Sequence, residues 1–356
     1  MKHKMIRVLG LSAIGMIFIT LIMIHLNKPL ANDIATYQYN DGNVKEQQLS
    51  NPMEAEMKKS YVKIKKDNKG FFRYHIEEDY MNQKLTLTIY SSNEKYYCNS
   101  RNIEGYHGTE VKSDLVKSSN FLYFYDTNQE VFATKVHMTL NSVYAYELKE
   151  DEENLYLILQ KPKDAYEKVI VIDAGHGGTD GGAPSYDSIT YEKDVNLNIL
   201  LYLRDLMEGK EIKVYYTRVA DDTVSLKRRV QLANVVEADL FISIHCNSSD
   251  SDEPSGTEIL YHGNTQEEGY GSMELAQYCL EEIVNALGLY NRGLVESSNE
   301  IYIVRKSEVP IALVEVGFLS NEKDFFTINI LENQNKVAKA IYDAIQRFYS
   351  MDKKGT

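Results

Sequence analysis

VIVIDAGHGGTDGG, residues 169–182, runs four β-branched apolar residues into a glycine-rich turn wrapped around one histidine. The apolar half reads as a strand buried on both faces, the kind found in parallel sheets. The glycine half reads as the turn leaving that strand's carboxyl end, where open α/β sheets collect their ligands. Two uses of such a turn compete: a cradle for phosphate, or a mount for His176.

Downstream of this strand the pattern alternates. YEKDVNLNILLYLRDLME carries Val195, Ile199, Leu200, Leu203 and Leu206 at helical spacing, and IKVYYTR then reads as a strand. SLKRRVQLANVV follows as a helix, DLFISIH and GTEILY as strands, and SMELAQYCLEEIVNALG as a helix closed by Gly288. EIYIV and PIALVEVGF read as strands and NQNKVAKAIYDAIQRFY as the last helix. The expected fold is an α/β domain over 165–352, a mostly parallel sheet flanked by helices.

Upstream the texture differs. YVKIK, KLTLTIY, FLYFY, VYAYEL and LYLIL are short runs rich in β-branched and aromatic residues, separated by DNKG, SSNE and DTNQ. They predict a small all-β domain over 61–164, with the boundary near 163–167 at KPKD. Its tyrosines suit the packing of half-buried strands better than a sugar-stacking face.

Residues 33–60 are polar and without period, a linker. MKHKMIR is basic, and residues 8–26 form an apolar run long enough to span a bilayer, so 1–32 is expected to be a signal peptide or signal anchor. Pro29 spoils the one candidate cleavage site, KPLAND, which favours an uncleaved anchor. The positive flank places everything after Lys28 outside the cytoplasm, tethered to the membrane or secreted.

The net charge of −13 excludes a nucleic-acid partner, because no basic cluster outweighs the acid. Cys98, Cys246 and Cys279 are spaced neither as a zinc knuckle nor as a disulfide framework and read as small buried hydrophobes.

The strand ends carry the chemistry. His176 follows VIVIDA, His245 closes DLFISI, Glu315 lies within PIALVEVGF, and Glu192 opens the first helix, where the chain returns to the same sheet edge. Two histidines and a carboxylate are a usual ligand set for catalytic zinc. Alone, each histidine reads as well as a hydrogen-bonded structural residue, and Glu192 as a helix N-terminal acid. Glu315 interrupts a run that must be buried, and an uncompensated buried carboxylate is costly enough to point to a function. The phosphate reading fails on its motifs: GHGGTDGG lacks the Walker lysine and fits GxGxxG poorly. Neither H-x-x-E at His176 nor H-E-x-x-H anywhere is present, which removes the common zinc-peptidase arrangements.

Taken together, DAGHGGTDGG, EKDVNLN, VYYTR, LKRRVQLAN, ADLFISIHCN, GTEILY, NRGL and PIALVEVGFLSN resemble the zinc-dependent N-acetylmuramoyl-L-alanine amidases of the Amidase_3 type, in order and spacing through 168–349. Two positions depart: Ala174 stands where proline is common and Cys246 where alanine is common. The resemblance implies one Zn2+ per catalytic domain held by His176, Glu192 and His245, with Glu315 as the catalytic carboxylate. It implies peptidoglycan as substrate, cut between the lactyl group of N-acetylmuramic acid and L-alanine, and an enzyme that is a monomer. A zinc peptidase acting within the stem peptide and an inactive wall-binding adaptor are the alternatives. Asp173 is a candidate partner for a ligand imidazole. Arg292 and Arg305 are candidate grips for stem-peptide carboxylates, and Asn247 and Asn321 either hold substrate or cap turns. Some relatives carry an inserted helix that blocks the zinc; here only SSDSDEPSG and one strand separate His245 from the helix at Ser272, so self-inhibition of that kind is not expected.

Overall fold

A computed structural model describes residues 61–66, 72–92, 103–104, 106–107, 110–111, 114–263, 271–297 and 299–352. The apolar run 8–26, the linker and Cys98 lie outside these residues. No helix among the described residues is long and apolar enough to cross a membrane.

Among the described residues, Tyr61 to Gln160 contributes ten strands and one short 3-10 turn. Strands β1 (Tyr61–Lys65), β2 (Phe72–Asp79), β3 (Lys84–Ser91), β4 (Ile103–Glu104), β5 (Tyr106–His107), β6 (Glu110–Val111), β7 (Val116–Asp126), β8 (Val131–Leu140), β9 (Ala145–Glu150) and β10 (Asn154–Gln160) pair antiparallel. The two larger sheets run β4-β1-β10-β9 and β2-β3-β8-β7. Alternate residues of both face one apolar core, with Val62 and Ile64 of β1, Leu85, Leu87 and Ile89 of β3, and Leu155, Leu157 and Leu159 of β10. The alternation is the period of two that the sequence carries.

The helix α1 (Pro162–Ala165) leads into the second layered body. Its sheet comprises β11 (Val169–Ala174), β12 (Lys213–Tyr216), β13 (Leu240–Asn247), β14 (Thr257–Tyr261), β15 (Asn291–Glu296) and β16 (Ile311–Phe318), in the order β12-β11-β13-β16-β14-β15. The pairs are parallel except β14 with β16, so the sheet is mixed at that one junction. Around it lie α2 (Glu192–Met207), α3 (Leu226–Val235), α4 (Ser272–Leu287), α5 (Tyr302–Lys306), α6 (Glu322–Ile328) and α7 (Leu331–Asp352). One face buries Val195, Ile199, Leu200 and Leu203 of α2 with Ile341, Ile345 and Phe348 of α7. The other buries Val230, Leu232, Ala233 and Val236 around α3 against Val169, Val171 and Phe241. Every residue of VIVIDA is buried, as a central strand covered on both sides requires.

One expected strand is a helix. EIYIV reads as a strand in the sequence, but Tyr302–Lys306 winds into α5, sending Ile303 and Val304 into the α3 core. Five residues cannot separate a period of two from one of 3.6, so tertiary packing decides.

The two bodies meet at the 3-10 turn Tyr80–Asn82. The Tyr80 hydroxyl donates to the Tyr216 carbonyl at 2.8 Å and accepts from the Tyr216 amide at 2.9 Å. Its ring meets Tyr215 edge-on at 5.0 Å. The Arg228 guanidinium donates to the Met81 carbonyl and, at 3.0 Å, to Asn82 Oδ1. A cleft of about 400 Å³ there is lined by Tyr80, Met81, Lys227, Arg228 and Gln231 and contains none of the candidate ligands.

Candidate metal centre

His176 leaves the end of β11 at φ +60°, followed by Gly177 at +129° and Gly178 at +59°. A non-glycine residue in the left-handed region costs of order 1–2 kcal/mol, so the surrounding contacts must hold it there. The turn is closed by paired backbone bonds between Gly177 and Asp180. Asp180 Oδ2 stands 2.9 Å from His176 Nδ1, which orients the ring and directs Nε2 away from the turn.

Nε2 of His176 lies 3.2 Å from Glu192 Oε2, and Nδ1 of His245 lies 3.0 Å from Glu192 Oε1. The two imidazoles meet edge-on at 4.9 Å. One donor atom from each of His176, Glu192 and His245 falls within a 4.8 Å span. The glycines permit this approach. A Cβ at Gly182 would stand 2.5 Å from Glu192 Oε2 and 2.9 Å from His176 Cδ2, and one at Gly175 would stand 2.2 Å from the His245 ring.

Glu192 is almost wholly buried, yet its carboxylate is saturated. It accepts from the Ala183 amide at 2.7 Å, the Cys246 amide at 3.0 Å and Asn196 Nδ2 at 3.0 Å, besides facing both imidazoles. Burial alone would raise its pKa; the histidines overcome that and hold it far below the usual carboxylate range. Burial lowers and Glu192 and Asp180 raise the pKa of His176, with a net rise.

Glu315 pairs in register with His245 on one side and Glu258 on the other. Its Oε2 is buried with no hydrogen-bond partner among the described residues. Burial first, then the negative charges of Glu192 and Glu258, push its pKa well above the ordinary value. An anionic cluster with one orphaned oxygen lacks a positive charge, and a divalent cation among two imidazoles and a carboxylate supplies it. The donor set therefore fits a metal ion.

The other candidates separate. Asp173 does not hydrogen-bond an imidazole: Arg229 Nη1 donates to it at 2.5 Å, Ser243 Oγ at 2.6 Å, and Thr217 Oγ1 also donates. Its side chain points back under the strand, so the partner role passes to Asp180. Arg292 is engaged by Glu258 at 2.9 Å and lies over the Phe318 ring. Asn247 also donates to Glu258, at 2.6 Å, while Asn321 caps α6 by accepting from the Asp324 amide. Arg305 lies over the Tyr302 ring. Among the described residues between His245 and α4 there is a loop and β14, and no helix.

Sequence reasoning passed over Asp180, Asn196, Arg218 and Arg229. Signals existed: Asp180 follows His176 by four residues, and Arg229 shares the buried helical face of Leu232, Ala233 and Val236.

Residues 170–347 match the family model described as N-acetylmuramoyl-L-alanine amidase. An uncharacterised protein of Bacillus subtilis, YqiI, is 35% identical over 182 residues, covering 51% of this chain and 85% of its own. The germination-specific N-acetylmuramoyl-L-alanine amidase of the same organism is 34% identical, covering 51% and 80%. Among solved structures, the catalytic domain of CwlV, an N-acetylmuramoyl-L-alanine amidase from Bacillus (Paenibacillus) polymyxa var. colistinus, superposes with a TM-score of 0.48 at 35% identity, covering 52% of this chain and 99% of that one.

Proposed function

The chain belongs to the N-acetylmuramoyl-L-alanine amidases of the Amidase_3 type and is a peptidoglycan hydrolase, and we propose that it works with one zinc ion held by His176, Glu192 and His245 and with Glu315 as its general base and acid. The observation that carries this reading is the meeting of three donor side chains beside a buried carboxylate whose Oε2 is unpartnered.

Zinc, when bound, supplies Lewis-acid polarisation of the scissile carbonyl and acidifies water. Glu192 and the imidazoles hold the cation, and Asp180 fixes the ring of His176. Glu315 takes the proton of the attacking water on its carboxylate and returns it to the leaving amine of L-alanine. The charges of Glu192 and Glu258, which together with burial raise the Glu315 pKa, are those that a bound cation would offset. Gly175 and Gly182 leave the room in which the ligands converge.

The reading extends to the whole chain. Residues 1–32 are a signal anchor or signal peptide, 61–164 a small β-rich domain, and 165–352 act on the wall outside the cytoplasm as a monomer, membrane-anchored or secreted. Mass spectrometry of muropeptides digested by the purified chain tests the reaction. Stem peptides with a free L-alanine amino group are expected; cleavage within the stem peptide alone would replace the amidase reading by a peptidase one, and no cleavage would favour the adaptor.

A further inference from the structure

Behind the His176 turn, two buried arginines converge on its backbone. Arg229, on α3, is 2% exposed. It spends Nη1 on Asp173 at 2.5 Å and on the Ala174 carbonyl at 2.6 Å, Nη2 on the His176 carbonyl at 2.6 Å, and Nε on the Val224 carbonyl at 3.0 Å. Arg218 follows β12. Its Nε donates to the Ala174 carbonyl at 2.9 Å, Nη2 to the carbonyls of Gly175 and Lys193, each at 2.8 Å, and Nη1 to Ala220 at 3.1 Å.

Three consecutive carbonyls, 174, 175 and 176, thus accept from two guanidiniums. In a regular strand successive carbonyls alternate from one side to the other, so three in a row do not point the same way. They do so here because His176 and Gly177 take positive φ, a conformation that the arginines reward with charge-assisted bonds. Arg218 does more than brace the turn: Lys193 follows Glu192, so one guanidinium ties the strand that delivers His176 to the helix that delivers Glu192.

We propose that Arg218 and Arg229 are positioning residues, a guanidinium clasp that sets the geometry between His176 and Glu192 and thereby the affinity of the metal centre. Neither touches the metal or substrate; each acts through the carbonyls it holds. Lysine is not an adequate substitute, because a single ammonium cannot reproduce the planar fork spanning two elements. The inference rests on the assignment of His176, Glu192 and His245 as metal ligands.

The test is zinc affinity of the full chain by competition with a chromogenic chelator, together with the visible absorption bands of the cobalt(II)-loaded protein, which report donor geometry. Arg218→Lys is the principal variant, since Arg218 contacts carbonyls only and its loss orphans no carboxylate. Supporting partners of metal ligands are worth about 10–100-fold in affinity, so zinc binding about tenfold weaker with shifted cobalt bands is expected. Arg229→Lys is expected to do the same, and Arg228→Ala, whose guanidinium faces Met81 and Asn82 instead, to leave both readouts unchanged. An Arg218→Lys protein that melts lower but keeps wild-type affinity and cobalt bands would overturn the clasp. A wild-type chain that binds neither metal would overturn the ligand assignment itself.

Discussion

Glu192 and Glu315 are two buried carboxylates at one sheet edge, and they are treated in opposite ways. Glu192 opens a helix and gathers two imidazoles, two backbone amides and an amide side chain, so it stays ionised despite burial. Glu315 sits inside a strand between His245 and Glu258 with one oxygen unanswered, and the same burial drives it toward the neutral form. Burial does not by itself assign a role. The partner count does: a saturated carboxylate suits holding a cation, and an under-satisfied one beside it suits carrying a proton.

The comparison breaks most visibly at Glu192. Glu192→Gln removes an anionic donor and leaves two imidazoles facing an amide; zinc affinity is expected to fall by at least about a hundredfold, exceeding the loss of a supporting partner, with hydrolysis falling alongside. Metal analysis after dialysis checks it, and a variant that keeps stoichiometric zinc would remove Glu192 from the ligand set.

A second test uses pH on the metal-free protein. The folded pKa of Glu315 lies above its unfolded one, so the folded chain keeps a proton that the unfolded chain releases, and stability falls as pH rises above the ordinary carboxylate range. Glu192 works the other way: its depressed folded pKa gives stability that is present above the unfolded value and lost on acidification. Subtracting denaturation midpoints of metal-free Glu315→Gln from those of the wild type isolates Glu315. The wild type is expected to lose ground to the variant as pH rises from 5 to 7, roughly the range above a free carboxylate's pKa. Parallel curves would mean that Glu315 is solvated.

The smallest effect lies away from both carboxylates. Tyr80→Phe deletes the hydroxyl that bridges the Tyr216 amide and carbonyl, and a cost of about 1 kcal/mol is expected in thermal unfolding, with zinc content and hydrolysis retained. Altered metal content there would show that the domain junction reaches the site.

The sequence carried the layered domain because its strands and helices are long and strongly periodic, as in VIVIDA and the helix from Glu192. It carried the site because chemistry-bearing residues at strand ends meet at one sheet edge. It did not carry α5, where five residues of EIYIV satisfy either period, nor the strand Asn291–Glu296, whose exposed polar residues lack alternation. Asp173 shows a different limit. A carboxylate three residues before His176 lies near the site in sequence, yet strand pleating turns it away toward Arg229 and Ser243, and the turn brings Asp180 to the ring instead.

The most direct measurement is made on Glu315→Gln, assayed for hydrolysis of purified peptidoglycan with zinc content determined on the same sample. The division of labour between the two carboxylates predicts one zinc per chain as in the wild type and a loss of turnover of about a hundredfold or more, the share commonly carried by general acid–base catalysis. Undiminished turnover would contradict it, and loss of zinc together with turnover would make Glu315 a ligand.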